Sequence, residues 1–256
     1  MKNWTLPAIF GSLVFAVGGC CCADGGTVSS SSNELHAMYT ETPIVADGKL
    51  DEPAWQNAIV YQLDAPVAVN SEIGSAKEKG SVRLLWDDEN FYIGIEFDDS
   101  DIYADGTADQ QAHFLMGDLA EIFLGPSEEL YYWEFYVTPK NHKTSYLLTG
   151  PRLLLPDTRD TPQLAIQTGA QLKQPSTLGD WSDVDTGWTA EIVVPRAELE
   201  KYGAKFEPGT PWRLLVARYN YSRYLSDSTC EYSTSPKISK VDYHLVDEYA
   251  ALILDK

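Results

Sequence analysis

Apolar and polar positions alternate along most of this chain with the two-residue period of half-buried strands. In "SVRLLW", Val82, Leu84 and Trp86 share one face. After the turn "DDEN", Phe91, Ile93, Ile95 and Phe97 repeat that period, while Tyr92, Gly94, Glu96 and Asp98 point the other way. Two such runs joined by a short acidic turn predict a hairpin with one buried face. Further on, Tyr131, Trp133, Phe135 and Val137 form the more apolar set of another run. They are assigned to the core, which leaves Tyr132, Glu134 and Tyr136 on the opposite face. The runs "LAEIFLG", "KTSYLL", "QLAIQTGAQLK", "GWTAEIVVP", "WRLLVARYNYS" and "AALILD" also read as strands, and Trp86, Trp188 and Trp212 are expected in the core. Helical signal is scarce. "LDEPAWQNA", with Asp51 as cap and Pro53 in the first turn, predicts one short helix, and "PRAELEKYG", closing at Gly203, predicts another. The expectation is an all-β, antiparallel β-sandwich, immunoglobulin-like or jelly-roll-like, with one or two short helices.

The beginning of the chain breaks this pattern. Residues 1–19 carry Lys2 followed by an apolar run too short to span a bilayer comfortably, which reads as an export signal. Val17-Gly18-Gly19 before Cys20 resembles a bacterial lipoprotein box, so Cys20 is the expected lipidation site. That resemblance implies an exported lipoprotein of the bacterial cell envelope, periplasmic or at the cell surface, held by a lipid anchor alone. Residues 20–38, small and polar in their middle, are expected to form a flexible tether, and residues 39–256 the folded domain. Three of the four cysteines fall at the start; Cys230 remains in the body and reads as a packed, inert thiol.

Charge removes one class of partner. Loss of residues 1–19 with Lys2 takes the formal net charge from −19 to −20, and there is no basic stripe. Such a surface repels phosphate backbones, so nucleic acid is not expected as a partner. There is also no G-x-S-x-G, P-loop, dinucleotide fingerprint or Cys–His signature, and the protein is not expected to be an enzyme.

The order of segments says more than any one of them. "PIVADGKLDEPAWQNA", "VRLLWDDENFYIGIEFDD", "GDLAEIFLGP", "GWTAEIVVP" and a closing "YHLVDEYAALIL" together resemble a family 9 carbohydrate-binding module. The resemblance spans nearly all of residues 43–254. It implies a non-catalytic β-sandwich that grips sugars between aromatic planes and carries structural calcium. It further implies a clamp of two tryptophans with a glutamate and an arginine on its rim. In this chain Leu115 stands at the first clamp position with Phe114 beside it, and Tyr243 at the second. Glu121 keeps the rim glutamate, and Tyr136 takes the place of the rim arginine.

Other residues are weighed on their own chemistry. Glu121 either faces a ligand or sits on the solvated side of its strand, whereas Asp118, just after Gly117, is expected to satisfy backbone donors at a turn. Tyr132, Glu134 and Tyr136 share the face that can look toward a ligand. Arg218 shares a strand face with Trp212, Leu214 and Val216, so it needs a carboxylate partner. Either it makes a structural ion pair, for which Glu121 or Glu134 can serve, or it replaces the lost rim arginine. Trp181, in the polar loop "LGDWSDVDTG", is the expected exposed tryptophan and a candidate contact for a ligand. Asp98, Asp99, Asp101 and Asp105 in "DDSDIYAD" are candidate calcium ligands, although EF-hand spacing is absent.

The expected partner is a glycan or polysaccharide, bound by a monomer that requires no cofactor, in polysaccharide recognition or catabolism. Two alternatives stand beside it. One is a haem b-binding sandwich for electron transfer that uses Met116 with His113, His142 or His244. The other is a partner-docking lipoprotein whose sugar site has decayed.

Overall fold

The computed structural model describes residues 27–28, 32–68, 75–153, 162–225 and 230–256. The signal at 1–19 and Cys20 lie outside these residues. The strands are β1 (Thr27–Val28), β2 (Glu34–Tyr39), β3 (Val60–Leu63), β4 (Gly80–Trp86), β5 (Asn90–Phe97), β6 (Leu119–Pro126) and β7 (Tyr132–Val137). They continue with β8 (Lys143–Leu148), β9 (Gln167–Leu172), β10 (Trp188–Pro195), β11 (Trp212–Tyr221), β12 (Cys230–Ser235) and β13 (Ala250–Asp255). Hydrogen bonding runs in the order β8-β7-β6-β11-β13-β2-β4-β5-β10-β9. In addition β12 pairs with β11, and Asp64 beside β3 bridges Thr234 of β12. The result is a nearly closed, barrel-like sandwich.

The predicted alternation sets which side chains meet inside. Val82, Leu84 and Trp86 face Phe91, Ile93, Ile95 and Phe97 in one core, joined by Trp133, Phe135, Trp188 and Trp212. Arg218 is the exception among these inward side chains. It is about 1% exposed, lies 4.5 Å above the Phe97 ring, and pairs with Asp99 at 3.1 Å and Glu78 at 3.7 Å. It also donates to the carbonyls of Lys79 and Asp98. This is a structural ion pair, but with Asp99 rather than Glu121 or Glu134. Inward-facing β11 positions point away from both glutamates, so Arg218 cannot be a rim arginine.

Two expectations about the fold are corrected. The sheet is mixed rather than antiparallel: β13–β2, β2–β4 and β1–β3 run parallel. The predicted tether over 20–38 also reaches too far. Its last residues belong to β2, which inserts between β13 and β4 and buries Leu35 and Ala37. The run "ELHAMY" alternates, but it is one short strand behind a serine-rich stretch and its period is hard to see.

The predicted helices shorten. "LDEPAWQNA" forms a 3₁₀ turn over Pro53–Asn57 whose cap is Glu52, with no side-chain capping bond, instead of Asp51. "PRAELEKYG" gives α1 (Arg196–Leu199) and a 3₁₀ turn Glu200–Tyr202, ending at Gly203 with φ of 97°. The motif "DGKLDEPAW" turns out to be internal scaffolding. Glu191 on β10 accepts from the Asp47 and Gly48 amides and from Trp55 Nε1 at 2.9 Å. Gly48 has φ of 87°, and a Cβ there would sit 2.7 Å from the Ala170 backbone. Cys230 is buried as expected, and burial pushes its thiol up to about 12.

Candidate functional site: a cavity floored by two carboxyls

On β6, Ala120, Ile122 and Leu124 point into the core, so Glu121 and Phe123 must point out. Register places Phe123 opposite Glu134 on β7 and Glu121 opposite Ala217 on β11. The outer face of this sheet is not left to water. Ile238, Tyr243, Val246 and Tyr249, from the segment between β12 and β13, pack over Phe123, Tyr132, Leu148 and Leu215. The 3₁₀ turn His113–Leu115 approaches from the other side. It is positioned from below by "GD": Gly117 (φ 132°) lets the backbone come close to the Tyr103 carbonyl, and Asp118 accepts from the Tyr103 and Tyr221 amides at 2.6 Å each. Asp118 therefore ties the turn down, as read from the sequence.

Between the turn and the closing segment lies a cavity of about 230 Å³. Its floor is Glu121, Glu134 and Phe123; Phe114, Tyr219 and Tyr243 wall it, and Arg152, Asp242 and His244 stand at its mouth. A second cavity, of about 370 Å³, shares Phe114, Glu134, Arg152 and His244 and extends over Tyr146 and Leu148. The two make one cleft. Phe114 and Tyr219 have ring centroids 6.4 Å apart, and Tyr219 meets Tyr243 edge-on at 5.5 Å.

Glu121 is about 3% exposed. Burial, with Glu134 next to it, holds its carboxyl well above the usual range. Burial also raises Glu134, to about 7, opposed by a hydrogen bond from Glu121 and by the Arg152 charge. Glu121 thus keeps a proton and donates it to Glu134, while Glu121 Oε2, though buried, finds no protein partner. An unpaired buried acceptor is costly unless something hydrogen-bonds to it. At the mouth, Arg152 pairs with Asp242 at 2.6 Å and keeps most of its side chain in solvent. His244 Nδ1 lies 2.8 Å from the Tyr132 hydroxyl, and burial together with Arg152 lowers its pKa, so it is neutral. The cleft offers ring faces, a carboxyl donor and acceptor, an imidazole and a guanidinium, without a concentrated charge.

Of the residues singled out from the sequence, Phe114, Glu121, Glu134 and Tyr243 meet here. The others do not. Leu115 is about 71% exposed on the outside of its turn. Tyr136 is fully buried and donates to the Gln111 carbonyl, and Tyr132 lies beneath the lining against Phe123 and His244. Arg218 is in the core, and Trp181 lines a separate cavity. Sequence reasoning missed Arg152, Tyr219 and Asp242, and it named His244, which also lines the cleft, only as a candidate haem ligand. Tyr219 was within reach, because the alternation that turns Arg218 inward turns Tyr219 outward. Arg152 gave no signal, being one cation in the loop "GPRLL".

The acid cluster is also corrected. Asp99 pairs with Arg218, Asp101 with Arg223 at 3.2 Å and Asp98 with Lys173 at 3.2 Å, while Asp105 hydrogen-bonds Tyr103. Among the described residues no group of three or more His, Cys, Asp or Glu is arranged to hold a metal. The haem ligands do not assemble either. His113 is buried against Tyr136 and stacked on His142 at 5.8 Å, while His244 sits in the cleft.

Comparison with known proteins supports the resemblance read from the sequence. Residues 45–148 match the family described as carbohydrate family 9 binding domain-like. Among solved structures, a "putative carbohydrate-binding protein" from Bacteroides uniformis is similar at a TM-score of 0.63 and 12% identity, covering 87% of this chain and 99% of that one. A family 9 carbohydrate-binding module from Caldicellulosiruptor kristjanssonii in complex with cellotriose matches at 0.57 and 14%, covering 87% and 93%. The module from the same organism in complex with glucose matches at 0.54 and 15%, covering 86% and 95%. A search of curated proteins finds no match.

Proposed function

We propose that this protein is a non-catalytic carbohydrate-binding domain that holds a glycan in the cleft over β6, β7 and β11. The observation that carries the reading is the buried Glu121–Glu134 pair, with its unpartnered Oε2, on the floor of an aromatic-walled cavity. A sugar presents apolar C–H faces and a rim of hydroxyls. Phe114, Tyr219 and Tyr243 suit the faces. The carboxyl pair can accept from one hydroxyl and donate to another, and Arg152 with Asp242 can bind those nearest the mouth. The family match over residues 45–148 and the sugar-bound structural relatives favour the same reading.

The proposal extends to location. The protein is exported and lipidated at Cys20 in the bacterial cell envelope, where it serves polysaccharide recognition or catabolism as a monomer. A glycan array, followed by calorimetry on the full-length protein with Glu121→Ala and Phe114→Ala, tests the site. Saturable binding weakened by both substitutions is expected. A folded protein that binds no glycan would overturn the reading. Metabolic labelling with a palmitate analogue, expected to be lost in Cys20→Ser, tests the anchor.

A further inference from the structure

The cavity that Trp181 lines is of about 280 Å³, and its other walls are Tyr103, Tyr221, Asp101, Ser222 and Arg223. We propose that it is a second sugar subsite continuing the cleft across the Phe114 turn, so that the ligand is an oligosaccharide and not a single terminal sugar. This rests on the glycan-binding reading above.

Three observations point there. First, the two cavities are adjacent. Tyr219 walls the first and Tyr221 the second, and as alternate residues of β11 they share a face, roughly 6.6 Å apart along the strand. The Tyr221 hydroxyl donates to the Phe114 carbonyl at 2.7 Å, so the turn carrying Phe114 is the ridge between them. Second, Trp181 is about 72% exposed, while Trp55, Trp86, Trp133, Trp188 and Trp212 are buried. Third, the loop bearing it is held in place. Asp185 accepts from the Ile102 and Thr177 amides, Gly179 donates to the Ile102 carbonyl, and Arg223 and Tyr224 both donate to the Asp183 carbonyl. An exposed indole carried on a loop held in this way is presented to stack on a ring. Beside it the Asp101–Arg223 pair, at 3.2 Å, supplies an acceptor and donors for hydroxyls.

The test uses the full-length protein and oligosaccharides of increasing length from the glycan the array returns, with glucose and cellotriose as fixed references. Trp181→Ala is expected to weaken the longer oligosaccharides tenfold or more and leave the monosaccharide unchanged, with Trp181→Phe restoring most of the loss. Oligosaccharide, but not monosaccharide, is expected to protect the exposed tryptophan from acrylamide quenching. If Trp181→Ala binds every length as the wild type does while Glu121→Ala weakens all of them, the subsite is overturned and the first cavity stands. If the folded wild type binds no glycan, both fail.

Discussion

Glu121 on β6 and Glu134 on β7 stand side by side on the outer face of the sheet, and burial raises both carboxyls, Glu121 well above its ordinary range and Glu134 to about 7. Burial disfavours a second negative charge more strongly than the adjacent Arg152 favours it. The pair is therefore built to be neutral at one position and half-ionised at the other near pH 7.

This gives stability a direction with pH. Burial raises Glu134 to about 7, Glu191 to about 7 and Asp99 to about 6, each above its ordinary carboxylate value. A group that holds its proton more tightly when folded stabilises fully below its unfolded pKa, and that contribution is lost as pH rises through the folded value. The melting temperature is expected to fall between pH 6.5 and pH 8, above the range in which the buried His113 and His244, whose pKa values are lowered, gain stability as pH rises. The acids lowered by lysine partners, such as Asp64 and Asp109, act only at more acidic pH and do not mask this window. Glu134→Gln is expected to flatten the slope. A calorimetric melt of both proteins at the two pH values is the check, and a wild type more stable at pH 8 contradicts the raised carboxyls.

Because Glu121 is already protonated, its amide counterpart is nearly isosteric and nearly isoelectronic. Glu121→Gln is expected to change unfolding free energy by less than about 1 kcal/mol. The amide also keeps an N–H donor and a C=O acceptor, so glycan affinity is expected to change little in Glu121→Gln and to fall roughly tenfold, about 1.4 kcal/mol, in Glu121→Ala, which removes both. Denaturant melts and calorimetry on the same preparation separate the two effects.

Much of this was legible from alternation alone. Trp133 and Phe135 inside, with Glu134 outside, followed from counting by two, and so did the inward placement of Trp86, Trp188 and Trp212. The site was only partly legible, because a cleft needs elements far apart in sequence. Phe114, Arg152, Tyr219 and His244 come from two loops, a strand and the closing segment, and no local period links them. The motif that best carried the resemblance, "DGKLDEPAW", proved to pin a loop to Glu191. A conspicuous motif can thus report the scaffold while the cleft rests on scattered residues.

The two arginines make opposite predictions. Arg218→Met leaves Asp99 buried beside Glu78 without its cation, and is expected to cost about 3–5 kcal/mol of stability. Arg152 is largely exposed and pairs with Asp242 at the surface, so Arg152→Ala is expected to cost no more than about 1 kcal/mol. Glycan affinity should respond the other way, weakening for Arg152→Ala and persisting in whatever fraction of Arg218→Met remains folded. Chemical denaturation paired with calorimetry at low temperature distinguishes the roles.

The boundary of the domain can be tested by shortening the chain. A protein beginning at Asn33 keeps β2, whereas one beginning at Thr40 loses it. Without β2, the facing backbone edges of β13 and β4 lose their partner, and the pocket that Leu35 and Ala37 fill is opened. His36, which bonds Asp255 at 2.7 Å, is removed with them. Burying one leucine-sized side chain is worth about 1.5–3 kcal/mol, and the unpaired edge groups add to the loss. Since domains are stable by only about 5–15 kcal/mol, the shorter chain is expected to be aggregation-prone or unfolded while the longer one melts cooperatively. Circular dichroism melts of the two chains decide it. Equal melting temperatures would return residues 34–38 to the tether.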